Sequence, residues 1–157
     1  MNVRLRPYLL DEFEESLILR GISDSDQSEY WREVVRTSGS WVDHYLHLAI
    51  EKDGSLVGDL QLRRCHWVMP PGTVEIGIEI AEKSWGLGIG TQTHREVKET
   101  FINDECHRLS GSTDVENVAM IRAFEKANWT KEGILRGLFE VNGELRDYVS
   151  YSVIRGD

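Results

Sequence analysis

Three glycines at alternate positions carry the clearest chemical signal in this chain. Gly86, Gly88 and Gly90 lie in a run that starts at residue 85 and reads WGLGIG. Glycine has no Cβ and tolerates unusual φ/ψ values, so consecutive N–H groups of such a turn can point at one spot. A helix that follows the turn adds its unpaired N–H groups and the positive end of its dipole. The run is therefore predicted to bind an anion, most often a phosphate.

Two common phosphate-binding motifs are excluded by the residues around these glycines. A P-loop needs a Lys-Ser/Thr pair after its last glycine, whereas Gly90 is followed by Thr91 and Gln92. The dinucleotide fingerprint needs the order G-x-G-x-x-G, and the order here is G-x-G-x-G. On the glycine pattern alone, a tight strand-to-helix turn without a ligand stays open as the alternative.

The elements on either side of the turn follow from hydrophobic periodicity. After the turn, Val97 and Phe101 have helical spacing, which predicts a helix. Before it, four apolar residues alternate with more polar ones, which predicts a strand. These four are Val74, Ile76, Ile78 and Ile80. Glu75 and Glu79 alternate with them, so both should point to the opposite face of the strand.

The rest of the chain extends this pattern to the order β α α β β β α β α β β. That order predicts one α/β domain over residues 1–157, with a mixed sheet and helices on both faces. The local signals are a helix from Asp11 to Arg20, a polar loop from Ser23 to Gln27, hairpin turns at Asp53-Gly54 and Asn142-Gly143, and strands from Leu56 to Trp67, with a bulge near Gly58, and from Leu135 to Val141.

Composition limits the classes of function. The formal net charge of −9 argues against nucleic acid as the main partner and suits either a cationic substrate or simple solubility. No apolar run approaches the roughly 20 residues that span a bilayer. Cys65 and Cys106 form no disulfide framework, and the histidines (His44, His47, His66 and His107) have no metal-ligand spacing. We therefore expect a cytoplasmic protein without a membrane segment or a metal site.

Two separate segments resemble the GNAT acetyltransferases. The order x-x-Gly-x-Gly after an EIGI strand is similar to their motif A, which binds the pyrophosphate of acetyl-CoA. Residues 117–129 resemble a second signature, Asn-x-x-(Ser/Ala)-x-x-aromatic-Glu-Lys-x-Gly-Phe. Residues 132–136 and 146–148 look like the RimJ/RimL-like branch, which acetylates ribosomal protein N-termini. The resemblance covers nearly all of the chain and implies the GNAT acyl-CoA N-acyltransferase fold, with about seven strands and about four helices.

The resemblance also implies roles in binding acetyl-CoA. Ile78 and Ile80 would offer backbone groups to the pantetheine arm, as an added strand would. Asn117 would bond the pantetheine or acyl region, or act only as a helix cap. Phe124 would pack beside the thioester, and Lys126 would reach the nucleotide phosphates or be simply a solvated charge. The pyrophosphate would lie on Leu87, Gly88, Ile89, Gly90 and Thr91.

Acetyl transfer to an amine first requires the amine to lose a proton, because an alkylammonium has a pKa of about 10.4. Glu75 and Glu79 are the candidates that would bind or deprotonate it. Some relatives have a catalytic glutamate near Glu75 on this strand. A carboxylate is a poor base unless burial raises its pKa. The alternative is that both glutamates are solvated or paired with cations.

The leaving thiolate needs a proton or a stabilising dipole. Many relatives have a tyrosine at the position of Phe124, and some have a serine at that of Met120, so both usual acids are missing here. Tyr148, Tyr151 or water would substitute, or the thiolate would leave unaided. Tyr148 is our candidate. We expect His94, on the stripe of Val97 and Phe101, to be a packed, hydrogen-bonded core residue rather than a catalytic one.

The predicted function is acetyl transfer from acetyl-CoA to a primary amine, by direct attack of the amine on the thioester. The acceptor would be a small cationic molecule or a protein N-terminus. The alternative is a non-catalytic acyl-CoA-binding or sensory module of the same fold, which the missing acids favour. A homodimer is a further expectation.

Overall fold

The computed structural model describes residues 2–64 and 68–157. Its strands are β1 (Val3–Arg6), β2 (Tyr45–Lys52), β3 (Ser55–Arg63), β4 (Thr73–Ile80), β5 (Arg108–Asp114), β6 (Thr130–Val141) and β7 (Glu144–Ile154). Its α-helices are α1 (Phe13–Arg20), α2 (Ser25–Thr37), α3 (Ile89–Phe101) and α4 (Val118–Lys126). Within these ranges seven strands form one sheet in the order β1-β2-β3-β4-β5-β7-β6, in which β4 and β5 are parallel and the other neighbours antiparallel. The expected mixed sheet and four helices are confirmed.

Each face of the sheet has its own apolar core. Ala49 and Ile50 are adjacent in β2 but belong to different cores, because successive strand residues point to opposite faces. The Ala49 core includes Phe13 of α1 and Trp31 of α2. The larger core, with Ile50, includes residues of α3 and α4, such as Phe124. Helices therefore cover both faces, as the element order predicted.

Several predicted boundaries are displaced. The polar loop predicted from Ser23 to Gln27 is wrong in its second half, because α2 begins at Ser25 and the Asp24 side chain caps it, accepting from the Gln27 N–H at 2.8 Å. A 3-10 turn (Leu10–Glu12) replaces the predicted start of the first helix. The strand β3 ends at Arg63, and residues 65–67 of the predicted strand lie outside the described residues.

The predicted turns are confirmed. All four residues of Asp53-Gly54 and Asn142-Gly143 have positive φ angles, as a type I′ hairpin requires. The register of β2 and β3 shifts beside Gly58 and leaves Val57 as the bulged residue. A Cβ at Gly58 would lie 2.4 Å from the carbonyl oxygen of Glu79, so the two strands approach too closely there for a larger residue.

Two kinds of structure are not found in the described part of the chain. No helix in it combines the length and the apolar character needed to cross a bilayer. Nor does it contain a group of three or more His, Cys, Asp or Glu side chains placed to hold a metal ion. Cys65 and His66 lie outside the described residues, and Cys106 is half-buried.

Candidate active site

The central feature of the site is a fork between β4 and β5. The two strands pair only from Thr73 with Arg108 to Glu75 with Ser110. Beyond that point β4 stays with β3 and β5 stays with β7, so the sheet opens between them. A cleft of about 70 Å³ lies at this opening. The cleft is lined by residues of β4, β5, α3 and α4 and by the N-cap residue of α4. These residues are Ile76, Ile78, His94, Thr113, Asn117, Met120 and Phe124.

The backbone of β4 offers unpaired groups to the fork. The Ala81 N–H donates to the Val57 carbonyl oxygen at 2.9 Å, and this pair continues the register of β3 with β4. Residues of an antiparallel ladder alternate between pairs that exchange hydrogen bonds and pairs whose groups point away. The N–H and C=O groups of Ile78 and Ile80 therefore point away from β3, to the side from which β5 has diverged.

Trp85 connects the end of β4 to the glycine turn. Its indole Nε1–H donates to the carbonyl oxygen of Ile80 at 2.8 Å, although two thirds of the residue is exposed. One lone pair of that carbonyl is therefore occupied. Ile78 has no such contact with any residue that the structure describes, so its backbone groups and the Ile80 N–H are the freer groups of the strand edge.

The glycine turn has the backbone shape and the open space of an anion site. Gly86 and Gly88 have φ angles of +73° and +75°. Apart from each glycine and its two chain neighbours, no atom of the described residues lies within 4 Å of where a Cβ would stand on either. Gly88 is the N-cap of α3, and neither a capping side chain nor an acidic residue lies in the first turn of that helix. Its first N–H groups therefore face a space that an anion can enter.

The residues flanking Gly88 differ in exposure. Leu87 is half-exposed, Ile89 is buried in the core, and Thr91 is half-buried in the first turn of α3. A Cβ on Gly90 would lie 3.3 Å from the Cβ of Ala123, so α3 and α4 come close at the start of α3. A phosphate here would therefore contact the N–H groups rather than the apolar side chains of Leu87 and Ile89.

The three candidates on or next to α4 occupy different positions. Asn117 accepts from the Met120 N–H at 3.1 Å, which confirms the cap, and it also lines the cleft. Phe124 lines the cleft as well and is 3% exposed. Lys126 is exposed in the last turn of α4, where its carbonyl oxygen accepts from Arg95, and it does not line the cleft.

His94 is a cleft residue that the sequence did not identify as one. It is fully buried on α3, and its ring stacks on Phe124 with centroids 4.0 Å apart. Its Nε2 lies 3.4 Å from the Met120 sulfur, and its Nδ1 has no hydrogen-bond partner among the described residues. Burial lowers the pKa of His94 to about 3, so the ring is neutral at pH 7. Its burial was expected from its stripe, but the stripe does not indicate where α3 meets α4.

The two glutamates lie on one face of β4 and each contacts an arginine. Glu75 pairs with Arg63 at 3.1 Å, and Glu79 pairs with Arg20 at 3.3 Å. Both side chains are partly exposed, and neither lines the cleft. The shared face is confirmed, and so is the alternative of pairing with cations. Arg20 also contacts the buried Asp59, at 3.3 Å.

The two tyrosines of β7 lie on opposite faces of the sheet. Tyr148 pairs with Asp114, and strand alternation places it on the face of Glu75. Tyr151 is buried on the other face, stacked on Phe124 with centroids 4.7 Å apart. Its hydroxyl lies 3.3 Å from a Glu125 oxygen, and burial together with this carboxylate raises the pKa of Tyr151. Tyr148 is therefore the tyrosine that shares a face with the glutamates.

The chain belongs to the GNAT acetyltransferase family, because a model of that family matches most of its length. Residues 4–130 match the model of the family described as "Acetyltransferase (GNAT) domain". One similar curated protein is the "Uncharacterized N-acetyltransferase p20" of Bacillus licheniformis, 25% identical over 85 residues. This match covers 54% of the present chain and 48% of the relative, so it spans about half the length of that protein.

Solved acetyltransferase structures share the fold at low sequence identity. The microcin C7 self-immunity acetyltransferase MccE, solved in complex with acetyl-CoA and AMP, has a TM-score of 0.81 at 18% identity, with 97% of this chain and 92% of that chain covered. RimL, the ribosomal L7/L12 alpha-N-protein acetyltransferase solved with coenzyme A, has a TM-score of 0.78 at 17% identity, with 98% of this chain and 94% of that chain covered. A chimera of Vibrio cholerae spermidine N-acetyltransferase SpeG and hSSAT has a TM-score of 0.77 at 18% identity, with 99% of this chain and 96% of that chain covered. These likenesses establish the fold.

Proposed function

We propose that this GNAT protein is an acetyl-CoA-dependent N-acetyltransferase that acts on a primary amine. The observation that carries the proposal is the fork between β4 and β5. Within the described part of the chain, it leaves the backbone groups of Ile78 unpaired along a cleft, next to the uncapped start of α3. A strand edge and a cluster of N–H groups suit a ligand that has both amides and phosphates. Solved relatives of the same fold bind acetyl-CoA or coenzyme A.

The residues of the site fit acetyl-CoA in its parts. The N–H groups of residues 87–91 would hold the pyrophosphate, and Ile78 with the Ile80 N–H would hold the pantetheine amides. Asn117 and Phe124, both on the cleft wall, would contact the acyl end. Lys126 would reach the nucleotide phosphates from the exposed end of α4.

When bound, acetyl-CoA supplies an acetyl thioester, and its transfer forms a C–N bond, breaks a C–S bond, takes one proton from nitrogen and adds one to sulfur. We propose that Glu75 binds the acceptor ammonium and removes its proton, since Glu75 is in the last residue pair before the strands part. Glu79, four residues further along the same face of β4 and paired with Arg20, would bind the acceptor instead. Tyr148, on the same face, would supply the proton for sulfur.

The acceptor is proposed to be a small cationic molecule or a protein N-terminus. The net charge of −9 favours a cation. Relatives of the same fold include a spermidine N-acetyltransferase and a ribosomal protein acetyltransferase, one for each class. We also propose that the protein belongs to a RimJ/RimL-like branch of the family and forms a single domain over residues 1–157. It would be cytoplasmic and would have no nucleic-acid partner. It would form a homodimer, which sedimentation equilibrium would test.

A non-catalytic acyl-CoA sensor is the second candidate function. It is favoured by the side chains at the α4 wall of the cleft, because neither Phe124 nor Met120 has an acidic hydrogen to give. The deciding experiment measures coenzyme A release by the purified protein with N-terminal peptides, polyamines and aminoglycosides. Saturable release with at least one amine supports the enzyme. Tight acetyl-CoA binding without release from any amine supports the sensor, and no binding overturns both.

The phosphate role of the glycine turn has its own test. Gly88→Asp should weaken coenzyme A binding by roughly 2–4 kcal/mol, a 30-fold or larger rise in Kd, because a carboxylate enters the space in front of the N–H groups. Gly54→Asp is the matched control, since Gly54 has a φ of +82°, equally open surroundings and a place in a hairpin. Isothermal calorimetry should find the Kd of Gly54→Asp for coenzyme A unchanged from that of the native protein. Equal affinities for both variants would exclude the turn as the phosphate site.

A further inference from the structure

The cleft wall contains one buried imidazole with an unusual partner. His94 is fully buried, lines the cleft and has Nε2 at 3.4 Å from the thioether sulfur of Met120. Its Nδ1 is also buried and lacks a hydrogen-bond partner among the described residues. A buried polar side chain normally bonds to a good acceptor or donor, because leaving it without one is unfavourable. His94 has only a weakly accepting sulfur.

The arrangement fixes the tautomer of the ring. A neutral imidazole has one N–H donor and one bare nitrogen. A proton on Nδ1 would be a buried donor without an acceptor, whereas a proton on Nε2 points at the Met120 sulfur. The Nε2–H tautomer is therefore the favoured one, and the ring directs an N–H toward a sulfur position at the cleft.

We propose that the Nε2–H of His94 is the hydrogen-bond donor for the sulfur of coenzyme A in this cleft. The inference rests on the proposed function, since it takes acetyl-CoA as the ligand. In the structure the Met120 sulfur occupies the acceptor position. Its flexible side chain can move aside and let one sulfur replace another.

The other polar side chains of the cleft are less suited to this role. Asn117 is fixed as the helix cap through its side-chain oxygen, and it lies at the exposed mouth. Thr113 is on β5, the strand across the fork from Ile78. Among the described lining residues, His94 alone directs a ring N–H at a sulfur already in place.

The imidazole acts as a donor without giving up its proton. Burial lowers its pKa to about 3, so a charged imidazolium is not available at neutral pH. A fixed N–H on this buried ring stabilises negative charge as it develops on sulfur, and this stabilisation is larger for the thiolate than for the thioester. The proton that finally reaches sulfur comes from Tyr148 or solvent, and His94 keeps its own.

The test is an NMR comparison on the ¹⁵N-labelled protein. Imidazole spectra are recorded with coenzyme A and with desulfo-coenzyme A, in which hydrogen replaces the thiol. We expect the resonance of the His94 Nε2–H proton to move with coenzyme A and to keep its free position with the desulfo compound, because only coenzyme A offers this N–H a sulfur acceptor. The exposed His107 serves as the internal reference. Identical His94 spectra with both ligands would overturn the inference.

Kinetics of a matched pair of variants give a second readout. His94→Phe keeps an aromatic ring but removes the N–H, and should lower kcat about 10- to 100-fold with little change in the KM for acetyl-CoA. His107→Phe, the same substitution at an exposed position, should leave both unchanged. A rise in KM alone would contradict the sulfur contact. Calorimetry separates the two hypotheses, because absence of coenzyme A binding refutes the proposed function, whereas binding without a His94 response refutes only this inference.

Discussion

At the scale of the residue, the buried imidazole of His94 couples stability to pH. An unfolded histidine has a pKa of about 6.5, and the folded one about 3. Between these values the unfolded chain binds more protons, so the stability is complete above pH 6.5 and is lost as the pH falls. From pH 7.5 to 5.5 this group alone should remove roughly 1.4 kcal/mol from the free energy of unfolding.

The measurement is urea unfolding of the native protein and of His94→Phe at both pH values. Carboxylates such as Glu12, whose pKa its Arg6 partner lowers, titrate in both proteins and cancel in the comparison. The native protein should therefore lose more stability than the variant. Equal losses would mean that the pKa of His94 is the same in the folded and the unfolded protein.

The two glutamates of β4 should differ in their kinetics. Glu75→Gln should lower kcat at least about 10-fold and remove the acidic limb of the pH profile, because an amide cannot accept the proton. Glu79→Gln should chiefly raise the KM for the acceptor. Both changes keep the side-chain shape, so contacts with Arg63 and Arg20 are retained in part. Unchanged kcat in Glu75→Gln across the pH range would remove Glu75 as the base.

At the scale of the element, the close contact of β5 with α4 depends on a glycine. A Cβ on Gly111 would lie 3.1 Å from the Phe124 ring and 3.2 Å from the Ile76 side chain, both of which line the cleft. Gly111→Ala should therefore destabilise the protein by about 1–3 kcal/mol through overpacking. A Cβ on Gly77 of β4, in contrast, would lie 3.9 Å from its nearest neighbouring atom.

Gly77→Ala is thus the matched control, a strand glycine with room for a methyl group. It should be neutral or stabilising by up to about 1 kcal/mol, since alanine loses less backbone freedom on folding. Thermal or urea unfolding of the two variants gives the comparison. Equal stability of both would show that β5 and α4 can separate without cost.

The elements around the turn could be predicted because their signals are local. Alternation defined β4, and the glycines and the spacing of Val97 and Phe101 defined the turn and α3. The start of α2 was missed because its first turn is polar and only the Asp24 cap marks it. The first part of β6 was missed because residues 130–134 do not alternate, and their conformation depends on pairing with β7.

The site was predictable to a similar extent. Glycines and Asn117 are recognisable within a few residues, so the glycine turn and the helix cap could be predicted. The fork could not be predicted, because it depends on where residues 73–75 pair with residues 108–110, which are distant in sequence. The position of His94 depends in the same way on how α3 packs against α4. The arginine partners of Glu75 and Glu79 come from β3 and α1, and the spacing of the glutamates does not reveal them.

At the scale of the whole molecule, the net charge of −9 provides a way to choose between the two acceptor classes. A negative field raises the local concentration of a polycation and speeds its encounter, and salt screens this effect over a Debye length of about 10 Å at 0.1 M. For a polyamine acceptor, kcat/KM at saturating acetyl-CoA should fall about threefold to tenfold between 0.02 and 0.2 M salt. For a peptide whose only charge is its N-terminal ammonium, kcat/KM should change less than twofold.

The double variant Asp26→Asn/Glu29→Gln, on the exposed side of α2, removes two negative charges away from the cleft. It should reduce the effect of salt on the polyamine kcat/KM while leaving kcat unchanged. A polyamine kcat/KM that is independent of salt would mean that the molecular charge serves solubility alone and would favour the protein N-terminus as the acceptor.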